Sequence, residues 1–135
     1  MLLGRLKALH DLAPLILRLV LGLIFIVHGH QKLFGEMDKF IGTVTGRLGM
    51  PMFMAYVAAF SEFGGGILLV LGLFTRWAAL FISGVMVVAI TKIHWHQGLV
   101  KGYEFPLSLL AGAITLMILG GGWMSVDKTL VKKEW

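Results

Sequence analysis

Two short stretches share one pattern: HGHQKL at residues 28–33 and HWHQGL at residues 94–99 both read His-x-His-Gln-x-Leu. They hold four of the chain's five histidines. An imidazole can ligate a metal, donate a hydrogen bond or pass a proton near neutral pH. On a helix, residues at i and i+2 point about 200° apart, so one metal cannot take both histidines of a copy. Each copy then offers one inward ligand, His28 from the first and His94 or His96 from the second. These three are weak metal candidates, and no metal site is expected. Two histidines on parallel helices can grip a haem only at equal depth; His28 reads as deeper than His94, so haem is not expected either. The plain alternative, best suited to His30, is an interfacial histidine bonded to loops and headgroups. The chain has no cysteine, which removes disulfides, thiol catalysis and thiolate-bound metals.

The second group of reactive side chains lies in apolar sequence: Arg18, His28, Lys32, Glu62 and Glu104. Ionisable groups within a bilayer are costly and face the interior of a bundle. At about 100° per residue, with Arg18 at zero, Lys32 falls near −40° and His28 near −80°, so the three share one stripe. Glu62 is flanked on its own face by Ala55, Ala58, Ala59, Gly65 and Gly66, small residues that let another helix approach closely. It reads as near midplane, bracketed in depth by Arg18 and His28. A carboxylate there must find a cation or take up a proton, and Glu62 is expected to pair with Arg18, His28 or both. Lys32, Lys92, His94, His96 and Glu104 read as nearer the outer helix ends. The set reads either as a ligand- or proton-binding centre or as a structural ion pair that fixes helix packing.

The elements that carry these residues follow from hydropathy. Of 135 residues, 58% are hydrophobic and 14% charged, with a mean hydropathy of +0.88; a soluble domain of this size cannot hide so much apolar side chain. Four apolar stretches, at about 12–34, 52–74, 76–95 and 105–123, are long enough to cross a hydrocarbon core of about 30 Å. Their short connections predict an all-α, integral-membrane, up-down-up-down four-helix bundle, one domain over residues 1–135. Asp11 and Pro14 mark the start of the first span, Pro51 and Pro106 those of the second and fourth. Thr75-Arg76 reads as a tight turn, and Gly120, Gly121 and Gly122 end the last span. Trp77 and Trp123 mark one membrane face; Phe34, Phe53, Tyr56, Trp95 and Tyr103 mark the other. Residues 1–10 carry leucines at helical spacing with Arg5 and Lys7 between them, a surface helix and, without a small-x-small cleavage site, an uncleaved anchor.

The net charge of +5 is spread along the chain. It forms no nucleic-acid face and suits anionic lipid headgroups. Arg5, Lys7, Arg76, Lys128, Lys132 and Lys133 fall on one side; Lys32, Lys39, Arg47, Lys92 and Lys101 fall on the other. That bias places both termini in the cytoplasm. Spans one and three then run the same way, so both His-x-His-Gln-x-Leu copies end at the same face, as two related helical hairpins would place them.

The stretches LILRLVLGLIFIVHGHQKLFG, AFSEFGGGILLVLGLFTRWAAL, GYEFPL and WMSVDKTL together resemble the DoxX family, over about residues 12–130. Arg18, Gly22, His28, Lys32, Glu62, Gly65, Thr75, Arg76, Gly102, Tyr103, Glu104 and Asp127 carry the likeness; His30 and His96 are less typical of it. The resemblance implies a four-helix bacterial inner-membrane protein. The family takes its name from a subunit of a thiosulfate:quinone oxidoreductase, and some members are linked with oxidative stress or with aromatic and quinone compounds, so it implies a quinone-linked role by analogy.

Three functions remain open at this stage. The first is a membrane component of a quinone-linked redox system: Arg18, His28 and Lys32 donate hydrogen bonds, and Glu62 or Glu104 relays protons. No flavin or iron–sulfur motif is visible, so no intrinsic cofactor beyond a bound quinone is expected, a soluble or membrane partner would supply electrons, and the chain alone would not be a complete enzyme. The second is a non-catalytic assembly protein. The third is a small transporter or proton pathway, which four helices would support only as a homo-oligomer.

Overall fold

A computed structural model describes residues 2–132; Met1 and residues 133–135, and with them Lys133 of the charge count, lie outside that range. The described residues form helices and no strand. Helix α1 (Leu2–Leu6) and the tight turn Lys7–Leu9 precede α2 (Leu12–Phe34). Helix α3 (Met37–Gly42) widens into the turn Thr43–Arg47, and α4 (Met52–Leu71) follows. Helix α5 (Thr75–Val88) runs on through wide turns at Ala89–His94 and a tight one at Trp95–Gln97; a kinked segment, Leu99–Tyr103, leads into α6 (Glu104–Leu119). Four segments are long and apolar enough to cross a membrane: Leu12–Phe34, Met52–Leu71, Thr75–Gln97 and Leu99–Leu119.

Helix ends account for the differences from the sequence boundaries. Helix α4 stops at Leu71 because Gly72 turns left-handed (φ 69°). The N–H groups of Gly72 and Leu73 then return to the carbonyls of Leu69 and Leu68, a glycine stop that satisfies orphan carbonyls. Gly120 (φ 78°) ends α6, so Trp123 lies beyond the last span. The Asp11 side chain makes no cap on α2. Instead its carbonyl accepts the Trp123 N–H at 3.2 Å and its carboxylate lies 3.8 Å from Lys128, tying the start of the first span to the end of the last. The two histidine motifs also differ: the first lies inside continuous α2, whereas the second unwinds towards Gly98 (φ 77°).

Helices α2 and α4 run antiparallel, with Arg18 beside Val70, Gly22 beside Gly66 and Lys32 beside Glu62. Their backbones touch. A methyl group on Gly22 would lie 2.6 Å from the Val70 side chain and 2.8 Å from the Gly66 carbonyl; one on Gly29 would lie 2.6 Å from the Phe63 Cα. Helices in lipid gain no hydrophobic drive towards each other, so close packing of small residues has to hold them. Phe25, Leu69, Ala79, Ile82, Ala113 and Leu116 fill the centre. Ile16, Leu23 and Val27 of α2, Phe60 and Ile67 of α4, Trp77 and Phe81 of α5, and Ile114 and Ile118 of α6 point outward, as lipid-facing side chains do.

Because the Gly29 contact is backbone against backbone, neither helix can yield by changing a rotamer. Gly29→Ala is expected to cost about 1–3 kcal/mol, the usual range for overpacking, read as a lowered unfolding midpoint in detergent. Gly64→Ala, where a methyl group meets nothing within 4 Å, is expected to leave the midpoint unchanged.

Candidate functional site

The buried charges form two centres at opposite ends of the bundle. At the end carrying the start of α2 and the end of α6, Arg18 on α2 is fully buried. Its Nε donates to Gly121 O at 3.0 Å, Nη1 to Leu69 O at 3.2 Å and Val70 O at 2.7 Å, and Nη2 to Trp123 O at 3.0 Å. The acceptors are carbonyls released by the end of α4 and the glycine run after α6, a task that suits the five-donor guanidinium fork. Asp127 completes this end. Its two carboxylate oxygens accept the N–H groups of Phe74 at 2.8 Å and Thr75 at 3.0 Å, capping the first turn of α5, and its own N–H donates to Gly72 O at 3.0 Å. Asp127 is buried too. The expected Arg18–Glu62 pair is therefore replaced: all the hydrogen bonds of Arg18 go to main-chain carbonyls, and the cost of burying the guanidinium is offset by ordering two helix ends.

Glu62 finds a different cation. Lys32 Nζ lies 2.7 Å from Glu62 Oε1. Lys32 stands at the last turn of α2, and its four-carbon stem reaches back along the helix to a carboxylate that backbone depth alone places too far inside. The Glu62 side chain is 3% exposed and that of Lys32 is 28% exposed. The ammonium also sits 4.5 Å from the centre of the Phe40 ring, a cation–π contact from α3. Glu62 Oε2 is buried and has no hydrogen-bond partner among the described residues.

This pair forms the polar wall of a cavity of about 350 Å³. Helix α4 lines it with Met54, Val57, Ala58 and Ser61; α5 and its extension add Leu80, Phe81, Gly84, Val85, Val88, Ala89 and Ile93. Phe40, Val44, Leu48 and Met50, from α3 and the chain after it, close over the end. Apart from Lys32, Glu62 and Ser61 the lining is apolar. Cavities of this size with a few convergent polar groups are the usual form of a small-molecule site.

The other candidates lie elsewhere. His28 packs edge-on against Phe105, ring centres 5.9 Å apart, rather than on Glu62. Glu104 is exposed at the start of α6, where Oε1 accepts the Lys101 N–H at 3.4 Å. His30 leans on Phe34, His94 Nδ1 lies 3.0 Å from Ala89 O, and His96 is exposed. Among the described residues no three His, Asp or Glu side chains come together as a metal site. Of the five residues singled out from the sequence, Lys32 and Glu62 meet in the cavity; Arg18, His28 and Glu104 do not line it.

A profile of the DoxX family matches residues 13–95. The chain belongs to the DoxX family. All the cavity-lining residues fall within the matched stretch. Across nearly its whole length the chain is also similar to CatD of Bacillus subtilis, a proposed oxidoreductase by its name, with 34% identity over 90% of both chains. It is 31% identical to the inner membrane protein YqjF of Escherichia coli, over 96% of this chain and 99% of that one. An uncharacterised protein of Haemophilus influenzae is 42% identical over 87% of this chain and 90% of its own. No solved structure matches. This DoxX chain is a multi-pass membrane protein.

Sequence reasoning missed two parts of the arrangement. Asp127 lies outside every span, and its role depends on N–H groups at a turn about fifty residues earlier. The cover formed by Phe40 and Val44 comes from a connection whose only sequence signal was its spacing of apolar residues. The Arg18 and Asp127 centre is structural in geometry, which gives a test. Asp127→Ala removes the acceptor for the buried Thr75 N–H and the part-buried Phe74 N–H and is expected to cost about 1–3 kcal/mol for unsatisfied donors, seen as a lower melting temperature in detergent.

Proposed function

We propose that this DoxX chain binds a quinone-type ring in the Lys32–Glu62 cavity, as the membrane component of a quinone-linked redox system in the bacterial inner membrane. The observation that carries the proposal is the unpartnered Glu62 Oε2 on the wall of an apolar cavity, beside an ammonium. A buried carboxylate oxygen without a donor is costly, and a bound molecule that supplies one removes the cost. A quinone ring suits the cavity in shape and chemistry: Phe40, Phe81, Met50 and Met54 offer ring and thioether contacts, Lys32 donates to a ring carbonyl, and Glu62 accepts from a ring hydroxyl. Reduction of a quinone takes two electrons and two protons. In this reading Lys32 and Glu62 bind and orient the ring and exchange protons with it, and the electrons pass between the ring and a redox partner. The name of CatD points the same way, and those of YqjF and its like support the inner membrane.

Binding of a short-chain benzoquinol to the detergent-solubilised protein, by calorimetry under anaerobic conditions, tests this reading. Saturable binding is expected in the wild type. Lys32→Met and Glu62→Gln are each expected to weaken it about 10-fold or more, the size of a lost hydrogen bond to a charged group, with melting temperatures changed far less. No saturable binding in the wild type, or affinity unchanged in both variants, overturns it.

A further inference from the structure

The cavity has a direction as well as a polar wall. It lies in the groove between α4 and α5, and the residues along its outer edge face away from the bundle: Val57 is 46% exposed, Leu80 45% and Phe81 58%. Gly84, on the same edge, is exposed, and a methyl group placed on it meets nothing within 4 Å. That edge belongs to two segments long and apolar enough to cross the bilayer. The opening therefore faces lipid, while the end nearest α3 is covered by Phe40, Val44, Leu48 and Met50.

The polar wall is selective in a second way. Within the pair, Lys32 Nζ already donates to Glu62 Oε1, so the two charges neutralise each other. A head with its own net charge has no counter-charge left in an otherwise apolar cavity, and its desolvation would go uncompensated. What the site lacks is a donor for Glu62 Oε2. A ring carbonyl cannot supply one; a ring hydroxyl can.

Taking these together, and resting on the quinone-type reading above, we propose that the cavity selects the reduced, hydroxyl-bearing form of a lipid-borne ring. A neutral quinol enters sideways from the bilayer between α4 and α5, its hydroxyl donates to Glu62 Oε2, and its apolar tail passes over Gly84 into the lipid. The acceptor-only quinone binds the same cavity more weakly. As a consequence the chain holds its ligand in the form that gives up electrons.

Three probes of one ring test the selection under strictly anaerobic conditions, in the same detergent: a short-chain benzoquinol, the parent quinone and the quinol dimethyl ether. The wild type is expected to bind the quinol at least 10-fold more tightly than either of the others, and Glu62→Gln, whose amide both donates and accepts, is expected to abolish that preference. The side entry is tested with a quinol bearing a long isoprenoid tail in lipid nanodiscs. Gly84→Leu, at the cavity edge, is expected to weaken the tailed quinol at least 5-fold more than it weakens the short-chain quinol, with a melting temperature near wild type, and equal losses for both overturn the side entry. Equal affinity for quinol and quinone, both lowered by Glu62→Gln, overturns the selection and leaves the ring site standing. Binding of none of the three probes overturns the ring site and the selection together. Unchanged binding of the tailed quinol by Gly84→Leu overturns the side entry.

Discussion

A carboxylate inside a hydrocarbon layer is the constraint around which this bundle is arranged. Water cannot solvate Glu62, so the fold must bring a cation to it or leave it protonated. Lys32 meets the demand from the end of the neighbouring helix, with its ammonium 2.7 Å from one oxygen and against the Phe40 ring. That single contact fixes three things at once. It ties the end of α2 to α4, it brings Phe40 of α3 against the ammonium, and it leaves the second oxygen of a cavity-lining carboxylate without a partner among the described residues.

The opposite end of the bundle is tied by its own polar contacts. Arg18 gathers four main-chain carbonyls from α4 and the segment after α6, and Asp127 gathers two N–H groups at the start of α5. These contacts are side chain to backbone, so they hold helix ends rather than other side chains. Between the two polar ends the helices meet through glycine, alanine and a small apolar core. The cavity lies between α4 and α5, with the Lys32–Glu62 pair as its polar wall and the α3 segment over its end.

The sequence made the fold legible because hydropathy reports spans directly: length, apolar runs and short connections leave few arrangements in a bilayer. The glycine stop at Gly72 was harder, because residues 72–74 are apolar enough to read as helix until the left-handed turn is seen, whereas the glycine run at 120–122 marks the end of the last span in the sequence itself. The site was half legible. Helical angles put Arg18, His28 and Lys32 on one stripe, and the small residues around Glu62 marked a close approach. The pairing was misread because depth was judged from Cα position. A lysine at a helix end carries its charge several ångströms from its backbone, whereas Arg18 spends its donors on carbonyls that no helical wheel displays. His28, matched in depth to Glu62 by the same reckoning, turns to Phe105 instead.

The most direct measurement of the central claim is the infrared difference spectrum of the protein with and without bound quinol, with glutamate side chains carbon-13 labelled and Glu62→Gln as the control. The account predicts a shift of a labelled carboxylate band when the quinol binds, as Oε2 gains a donor, and loss of that shift in Glu62→Gln. Binding that leaves every labelled glutamate band in place would contradict it, because the ligand would then occupy the protein without touching the buried Glu62 oxygen that has no partner among the described residues.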